Sequence, residues 1–305
     1  MPIDEDVRQL LEASKDSFPS TGDPWDVRTR CSALPVGALP GIWRIEDIDI
    51  PNADSFLRLR VYSSSDEQGV PAILVFHGGG WVIGDLMWTE GQCRQLSAKT
   101  QCRVISVEYR LAPEARFPAA AEDAYTALEW VAENSLRLQI DPERIAAYGQ
   151  SAGGNLVAAL ALMTRDRSGP SLRSQVLAYP VIDADFERGS YKEWGDGPGL
   201  TRVQMEWFWD NYVDAADRRN PYVSPLYAET FAGVAPALVI TAEADPLQDE
   251  GEAYAQRLHD DGIPVVHTMY PGMHHGFLNL TQLFPKAQEA FDEVVASLRS
   301  SFGID

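Results

Sequence analysis

Four short segments carry side chains and backbone groups that together could hydrolyse an acyl bond. In chain order they are a glycine loop at 77–81, Ser151 within a Gly-x-Ser-x-Gly pattern, Asp245 followed by proline, and His275 followed by glycine. A serine hydrolase built on a parallel sheet needs an oxyanion loop, a nucleophile, an acid and a base in this order. The order predicts attack of the serine hydroxyl on a carbonyl carbon, assisted by the histidine.

The segment around Ser151 has the setting that a nucleophile elbow requires. The Gly-x-Ser-x-Gly pattern alone is a weak signal, because it recurs by chance in unrelated chains. Here the apolar segment 145–148 predicts a strand just before it, and the small residues of 154–163 predict a helix after it. The two glycines of the pattern are needed because a side chain would clash in so sharp a turn. The helix N-terminus would direct the N–H of Ala152 towards a developing oxyanion.

His275 and Asp245 are the expected base and acid, and each has neighbours that could replace it. Both residues follow predicted strands, which is where the order serine, acid, histidine places the last two members of a triad. His274 is the alternative base; adjacent loop residues point in different directions, so only one of the two histidines can serve. Glu243 and Asp249 are the alternative acids, and Asp245 could instead cap the helix that follows it.

Three consecutive glycines at 78–80 predict a loop in which backbone N–H groups can approach a ligand closely. Two such donors, together with the N–H of Ala152, would form an oxyanion hole. A solvent-exposed turn is disfavoured because the apolar residues 81–83 follow. A phosphate-binding loop is disfavoured because no Lys-Ser or Lys-Thr follows and the Rossmann spacing is absent. We expect His77 to form a hydrogen bond within this loop.

Strands and helices alternate along most of the chain, which predicts an α/β fold with a mostly parallel central sheet flanked by helices. An entry hairpin is expected at 45–50 and 57–63, and a helix is expected to begin near Pro118. The further predicted strands are 72–76, 103–109, 145–148, 175–179, 237–241 and 265–270, and the further predicted helices are 154–163, 249–261 and 281–300. With 305 residues and 45% hydrophobic content, residues 1–305 are expected to form a single domain.

Two stretches fall outside this alternation and are expected to form a helical cap over the carboxyl edge of the sheet. The first, about 1–40, holds a predicted amphipathic helix at roughly 4–14 and then a proline-rich tether. The second, about 183–222, contains a predicted helix at 202–213. This helix carries five large side chains, Met205, Trp207, Phe208, Trp209 and Tyr212. They cannot all face one core; they could anchor the helix or form a wall of an acyl pocket.

Composition and charge argue against several classes of partner. The formal net charge of −20 disfavours nucleic acid and anionic membranes, because both would repel the protein. No apolar run has the length of a membrane span and the N-terminus is unlike a signal peptide, so a cytoplasmic location is expected. Arginine far outnumbers lysine, which points to a GC-rich genome and hence a bacterial source.

The spacing of the three cysteines bears on metal binding and disulfides, and a predicted edge strand bears on assembly. Cys31, Cys93 and Cys102 lack the spacing of a metal site, so no metal is expected. We expect unpaired thiols, with a disulfide between Cys93 and Cys102 as the alternative. An exposed edge strand at 265–270 could pair two subunits in a homodimer.

The chain resembles the hormone-sensitive lipase family of bacterial carboxylesterases over about residues 70–280. The motifs that carry the resemblance are specific as a set and lie at 77–81, 109–114, 117–120, 149–154, 245–247 and 275–277. The resemblance implies an α/β-hydrolase fold with a helical cap. It also implies hydrolysis of small-molecule esters with short to medium acyl chains, without a metal or a cofactor.

The same resemblance implies roles for individual residues. It implies Ser151, Asp245 and His275 as the catalytic triad and Gly79, Gly80 and Ala152 as the oxyanion donors. The residues expected to bind substrate are Trp81, Met205, Phe208 and Phe277. One departure is visible: family members commonly carry an acidic residue or threonine before the serine, where this chain has Gln150.

Two other functions are compatible with these residues. The same triad could hydrolyse an amide or a lactone, or catalyse an elimination, and an amidase must protonate a poorer leaving group than an esterase does. A binding protein on a hydrolase scaffold is the other alternative. Loss of the base would be its signature, and here the serine, the acid and the histidine are all present.

Overall fold

One mixed sheet of eight strands organises the part of the chain that the computed structural model describes, residues 3–14, 22–31, 39, 41–52, 55–197 and 199–304. The strands are Arg44–Asn52 (β1), Ser55–Ser63 (β2), Val70–Phe76 (β3), Arg103–Glu108 (β4), Ile140–Gln150 (β5), Gln175–Ala178 (β6), Ala237–Ala244 (β7) and Val265–His274 (β8). Their order across the sheet is β1-β2-β4-β3-β5-β6-β7-β8. β2 pairs antiparallel with β1 and β4, and all other pairs are parallel.

The central strands are apolar along their length because helices cover both faces of the sheet. Every residue of β3 is buried, as expected for a parallel strand within an α/β fold. Successive side chains point to opposite faces, so Leu74 and Phe76 pack in one core and Ile73 and Val75 in the other. β1 and β2 alternate buried with exposed residues over much of their length, so one face of this hairpin is largely open to solvent.

Ten α-helices lie among the described residues. They are Glu5–Ser14 (α1), Pro24–Arg30 (α2), Glu90–Thr100 (α3), Ala119–Glu133 (α4), Ser135–Leu138 (α5), Ala152–Asp166 (α6), Gly189–Trp194 (α7), Arg202–Tyr212 (α8), Gln248–Asp260 (α9) and Pro285–Phe302 (α10). α4, α6 and α9 bury Leu128, Leu160 and Leu258 in the core on one face of the sheet. α3 and α10 bury Leu96 and Phe291 in the core on the other face. This arrangement confirms the predicted α/β-hydrolase fold.

Every strand and helix expected from the sequence is present within a few residues. Among the helices that were not foreseen are the short α5 and α7 and the longer α3. The buried positions of α3 are mostly polar, and they include Glu90, Gln92, Ser97 and Thr100. A search for apolar residues at helical spacing therefore passes over it. α2 forms where a tether was expected, and the parts of that predicted tether at 15–21, 32–38 and 40 lie outside the described residues.

The described parts of the two predicted cap stretches pack near the segments that carry the candidate site. Val7 and Leu11 of α1 are buried in the same cluster as Phe277, which follows His275 closely. Tyr212 of α8 stacks on Trp81 at the end of the glycine loop, with ring centroids 4.1 Å apart. Both cap stretches therefore contact elements at the carboxyl edge of the sheet.

The three cysteines are free thiols, and all three are buried. This result confirms the expectation of unpaired thiols and removes the alternative disulfide between Cys93 and Cys102. Burial raises the pKa of Cys93 to about 12 and that of Cys102 to about 11. Among the described residues, no helix is both long and apolar enough to cross a membrane.

We expect Leu160→Ala to lower the free energy of unfolding by about 2 to 5 kcal/mol, because Leu160 is fully buried and the substitution leaves a cavity. Urea denaturation followed by circular dichroism measures the change. Leu136→Ala is the matched control, because Leu136 is 95% exposed and its loss should change the free energy by less than about 0.5 kcal/mol. Equal losses in the two variants would contradict this assignment of the core.

Candidate active site

Ser151 occupies a sharp turn between β5, which ends at Gln150, and α6, which begins at Ala152. Its backbone has φ 55° and ψ −120°, a left-handed conformation that non-glycine residues rarely adopt. A Cβ atom on Gly149 would collide with the backbone of Gly153. The expectation that a side chain would clash in this turn is therefore confirmed.

The second glycine of the elbow is required by the neighbouring strand. A Cβ atom on Gly153 would collide with the backbone carbonyls of Phe76 and His77, at the end of β3. The first turn of α6 thus packs directly on the backbone of the strand beside it. The N–H of Ser151 donates to the carbonyl of Ala178 at 2.9 Å, which ties the elbow to β6 on its other side.

His275 lies between Ser151 and Asp245 and contacts both. The distance from its Nε2 to Oγ of Ser151 is 3.0 Å, and the distance from its Nδ1 to Oδ2 of Asp245 is 2.8 Å. An ionised carboxylate can only accept, so in the neutral imidazole the proton is on Nδ1 and Nε2 is free to accept from the serine hydroxyl. The second oxygen of Asp245 accepts the N–H of Leu247 at 2.9 Å, and the aspartate side chain is fully buried.

The alternative acids make other contacts. Oε2 of Glu243 accepts the N–H of Gly272 at 2.7 Å. Oδ2 of Asp249 accepts the N–H of Ser190 at 2.9 Å. The structure therefore brings Asp245 to the imidazole and directs the two neighbouring carboxylates elsewhere.

The alternative base, His274, is buried at the end of β8 and has no hydrogen-bond partner on either ring nitrogen among the described residues. Burial lowers its pKa to about 4. A neutral imidazole without a carboxylate partner lacks the group that would orient it as a base. The geometry thus distinguishes the two adjacent histidines.

The glycine loop passes directly beside the elbow. A Cβ atom on Gly78 would lie 3.4 Å from Cβ of Ser151 and 3.2 Å from the carbonyl oxygen of Gln150. Gly79 and Gly80 have φ values of 112° and 57°, which a side chain would strain. Among the backbone hydrogen bonds of the described residues, none uses the N–H of Gly79, Gly80 or Ala152.

His77 contacts this loop through a hydrogen bond to the backbone of Gly78. Burial lowers its pKa to about 4, so the ring is neutral near pH 7, and its Nδ1 lies 2.7 Å from the carbonyl oxygen of Gly78. That carbonyl can only accept, so Nδ1 carries the proton. The ring stacks on Tyr109 with centroids 4.2 Å apart. The predicted hydrogen bond within the loop is confirmed.

Three of the four residues expected to bind substrate are instead packed in the protein core. Trp81 and Phe277 have no exposed surface and Met205 is 1% exposed, so none of them offers a surface to a ligand. The prediction is corrected for these three side chains. Phe208 is only partly buried, and its ring packs against Gly80, where an added Cβ atom would collide with it.

Helical spacing explains how α8 divides its large side chains. Met205, Trp209 and Tyr212 stand at i, i+4 and i+7 and are buried, which places them on one face of the helix. Two of them contact Trp81: Tyr212 stacks on its ring, and Trp209 meets the same ring edge-on with centroids 5.1 Å apart. Phe208 lies off that face and remains partly exposed. Burial thus supports the anchoring role for the first three side chains, and a place in the acyl pocket stays a prediction for Phe208.

Tyr179 is a site residue that the sequence analysis did not identify. It directly follows β6, and its ring meets the imidazole of His275 edge-on with centroids 4.8 Å apart. The only sequence signal was its position after a strand at the edge where the other site residues gather.

Within the described residues, no group of three or more His, Cys, Asp or Glu side chains could hold a metal ion.

Comparison with known proteins identifies close relatives along nearly the whole chain. The α/β-hydrolase-fold family matches residues 73–279. The arylesterase of Saccharolobus solfataricus is 36% identical over 291 residues, 91% of this chain and 93% of that protein. Carboxylesterase NlhH of Mycobacterium tuberculosis is 36% identical over 306 aligned positions, 96% of each chain. The solved structure of the hyperthermophilic esterase of Pyrobaculum calidifontis is similar with a TM-score of 0.91 and 39% identity, over 98% of this chain and 99% of that one.

We expect His274 to make the protein less stable in acid. The pKa of histidine in an unfolded chain is about 6.5, whereas burial lowers the pKa of His274 in the folded protein to about 4. Between these values only the unfolded state binds the proton, so the stability contributed by neutral His274 is complete above about pH 6.5 and is lost as the pH falls towards 4. At about pH 5 the loss should be about 2 kcal/mol.

Urea denaturation of the parent and His274→Leu at about pH 7.5 and about pH 5 tests this expectation. The variant should lose about 2 kcal/mol less than the parent between the two pH values. His259→Gln is the control, because His259 is exposed on α9 and should show the parent's dependence on pH. An unchanged dependence in His274→Leu would refute the assignment.

Proposed function

The chain belongs to the α/β-hydrolase family, in its hormone-sensitive-lipase-like branch, and is a carboxylic ester hydrolase; we propose that it is a serine carboxylesterase that works through an acyl-enzyme intermediate. The observation that carries the proposal is the position of His275, within hydrogen-bond distance of both Ser151 and Asp245. This is the arrangement in which a serine hydroxyl becomes a nucleophile at neutral pH.

Acylation begins when Oγ of Ser151 attacks the ester carbonyl carbon. Nε2 of His275 takes the hydroxyl proton as the new C–O bond forms, and the buried carboxylate of Asp245 stabilises the resulting imidazolium. The tetrahedral intermediate then expels the alcohol, which leaves with the proton that His275 returns. The acyl group remains bonded to Ser151.

Deacylation repeats these steps with water in place of the serine. His275 takes a proton from water, the hydroxyl oxygen attacks the acyl carbon, and Ser151 leaves with the proton. The products are a carboxylic acid and the free enzyme, so the cycle consumes one water molecule. No metal or cofactor takes part in this mechanism.

The N–H groups of Gly79, Gly80 and Ala152 are the proposed donors to the oxyanion. The loop containing the two glycines passes beside Ser151, and Ala152 is the first residue of α6, where the helix dipole favours negative charge. None of the three N–H groups is used elsewhere in the described backbone. Each such donor typically stabilises the transition state by about 3 kcal/mol.

Short- to medium-chain carboxylic esters are the proposed substrates. The partly exposed ring of Phe208 lies against Gly80 and would limit the space beside the oxyanion donors. The described contacts of α1 and α8 with the loops of the site support a cap formed by about 1–40 and 183–222. The similar arylesterase supports esters of aromatic alcohols as test substrates.

Amide or lactone hydrolysis is the alternative use of the same triad. Rates on an ester and an amide with the same acyl group distinguish the two, because an amidase must also protonate a poor leaving group. A binding protein without catalysis is disfavoured by the intact contact of His275 with both of its partners.

Assembly and location remain predictions of the sequence. Within the described sheet β8 is an edge strand beside β7, and it exposes Val266 and Met269. A second copy of the chain could pair there to form a homodimer. The cytoplasmic location and the bacterial source stay predictions as well.

We expect Ser151→Ala to lower kcat on p-nitrophenyl acetate by at least about 10⁴-fold, because the variant has no group to form the acyl-enzyme. Stopped-flow or steady-state release of p-nitrophenol measures the loss. Ser97→Ala is the control: Ser97 is buried in α3 and donates to the carbonyls of Tyr62 and Cys102, away from the proposed triad. Residual activity of a tenth in Ser151→Ala would mean that another residue is the nucleophile.

We expect Phe208→Ala to shift the acyl-chain preference towards longer esters, because it opens space beside Gly80. We would measure p-nitrophenyl esters from acetyl to decanoyl. The ratio of kcat/KM for the octanoyl ester to that for the acetyl ester should rise by about tenfold, because the vacated space accommodates a few more methylene groups of the longer acyl chain. Val203→Ala on the same helix is the control, because Val203 is 52% exposed. The same ratio in Phe208→Ala as in the parent would exclude Phe208 from the acyl pocket.

A further inference from the structure

We propose that Gln150 is a positioning residue whose amide fixes the nucleophile elbow relative to the loop of His275, through a buried network of uncharged side chains. The inference rests on the proposed function, in which Ser151 and His275 are the nucleophile and the base. Gln150 directly precedes Ser151 in the sequence.

The amide of Gln150 uses both its nitrogen and its oxygen in buried hydrogen bonds. The side chain is at the end of β5 and the residue is 4% exposed. Its Nε2 donates to the hydroxyl of Tyr148 at 2.7 Å and to Oε1 of Gln92. Its Oε1 accepts from the hydroxyl of Tyr179 at 2.8 Å. Every partner is itself a buried, uncharged side chain.

Gln92 of α3 carries the network across to the histidine loop. Its Nε2 donates to the backbone carbonyl of Leu278 and to Oδ1 of Asn279, each at 3.0 Å. Both residues belong to the short 3₁₀ helix Phe277–Leu280, which begins two residues after His275. Two hydrogen bonds therefore lead from the residue before the nucleophile to the turn after the base.

The chemistry of the partners fixes the orientation of both amides. The carbonyl of Leu278 can only accept, so the nitrogen of Gln92 must face it and the oxygen of Gln92 must face Gln150. Gln150 must then donate to that oxygen. A carboxylate at 150 cannot donate, so it would lose the bond to Gln92, and its negative charge would be buried among uncharged partners. An amide fits this network where an ionised acid does not.

Tyr179 joins the network to the imidazole itself. Its hydroxyl donates to Gln150 while its ring packs edge-on against His275. Burial raises the pKa of this hydroxyl well above its ordinary value, with smaller contributions from Tyr148 and Asp245, so it remains a donor. Gln150 thus reaches the loop of His275 by two routes, through Gln92 to the following turn and through Tyr179 to the ring.

The test compares Gln150→Met with Gln175→Met. Gln175 is fully buried, donates to the carbonyl of Ala235 and accepts from the hydroxyl of Tyr254, so it matches Gln150 in burial and bonding. It lies at the amino end of β6, whereas Ser151 follows the carboxyl end of β5. Methionine keeps the length of the side chain and removes the amide. We expect kcat to fall at least tenfold in Gln150→Met with KM changed less than twofold, and kcat to stay within twofold in Gln175→Met.

Two further measurements separate positioning from general destabilisation. The rate of labelling of Ser151 by a fluorophosphonate should fall with kcat in Gln150→Met and remain unchanged in Gln175→Met, at similar losses of melting temperature. In Gln150→Glu, protonation restores one donor, so the ratio of its kcat to the parent's should rise at least threefold from about pH 8.5 to about pH 5.5. The parent measured at the same pH values provides the reference.

The outcomes distinguish this inference from the proposed function. If the fluorophosphonate does not label Ser151 in the parent, the proposed function is wrong. If it labels the parent, and Gln150→Met retains both its kcat and its labelling rate within twofold, only the positioning role is wrong. Losses that are equal in the two methionine variants also overturn it. If Gln150→Met does not fold, Tyr179→Phe decides: a loss in kcat of threefold or more supports the network, and an unchanged kcat overturns it.

Discussion

The imidazole of His275 must reach a hydroxyl on one side and a carboxylate on the other, and this double requirement constrains the rest of the structure. Ser151, Asp245 and His275 follow β5, β7 and β8, whose parallel pairing through β6 brings their carboxyl ends to one edge of the sheet. Both contacts of the imidazole, at 2.8 and 3.0 Å, depend on that common edge. A change of strand order would separate the three side chains even if each motif were intact.

Much of the candidate site could be predicted from the sequence because its motifs are local and stereochemically restrictive. The glycines at 149 and 153 leave no room for a Cβ atom, so the pattern around Ser151 carries its own backbone geometry. The alternation of strands and helices then predicts which segments reach the same edge. The sequence favours Asp245 as the acid but leaves Glu243 and Asp249 open, and the structure separates them by bringing the carboxylate of Asp245 to the imidazole.

What the sequence could not reveal depends on contacts between distant segments. Trp81 was expected to bind substrate, but Tyr212 of α8, more than a hundred residues later in the chain, stacks on it, and Trp81 is fully buried. α3 was overlooked because its inner face is polar, and Gln92 on that face meets partners from β5 and from the loop after β8. A buried polar side chain has no periodic signature, since its partners and not its neighbours in sequence make its burial tolerable.

Because β8 lies at the edge of the sheet, the strand before the proposed base is held by fewer neighbouring strands than the strand before the proposed nucleophile. Ser151 follows a strand with neighbouring strands on both sides, whereas β8, which precedes His275, has β7 as its one neighbouring strand among the described residues. Local opening of a protein starts where the fewest hydrogen bonds must break. Fraying of β8 would withdraw the imidazole from Ser151 while the centre of the sheet stays intact. Such an enzyme would then lose its activity on heating before the core of the sheet melts cooperatively.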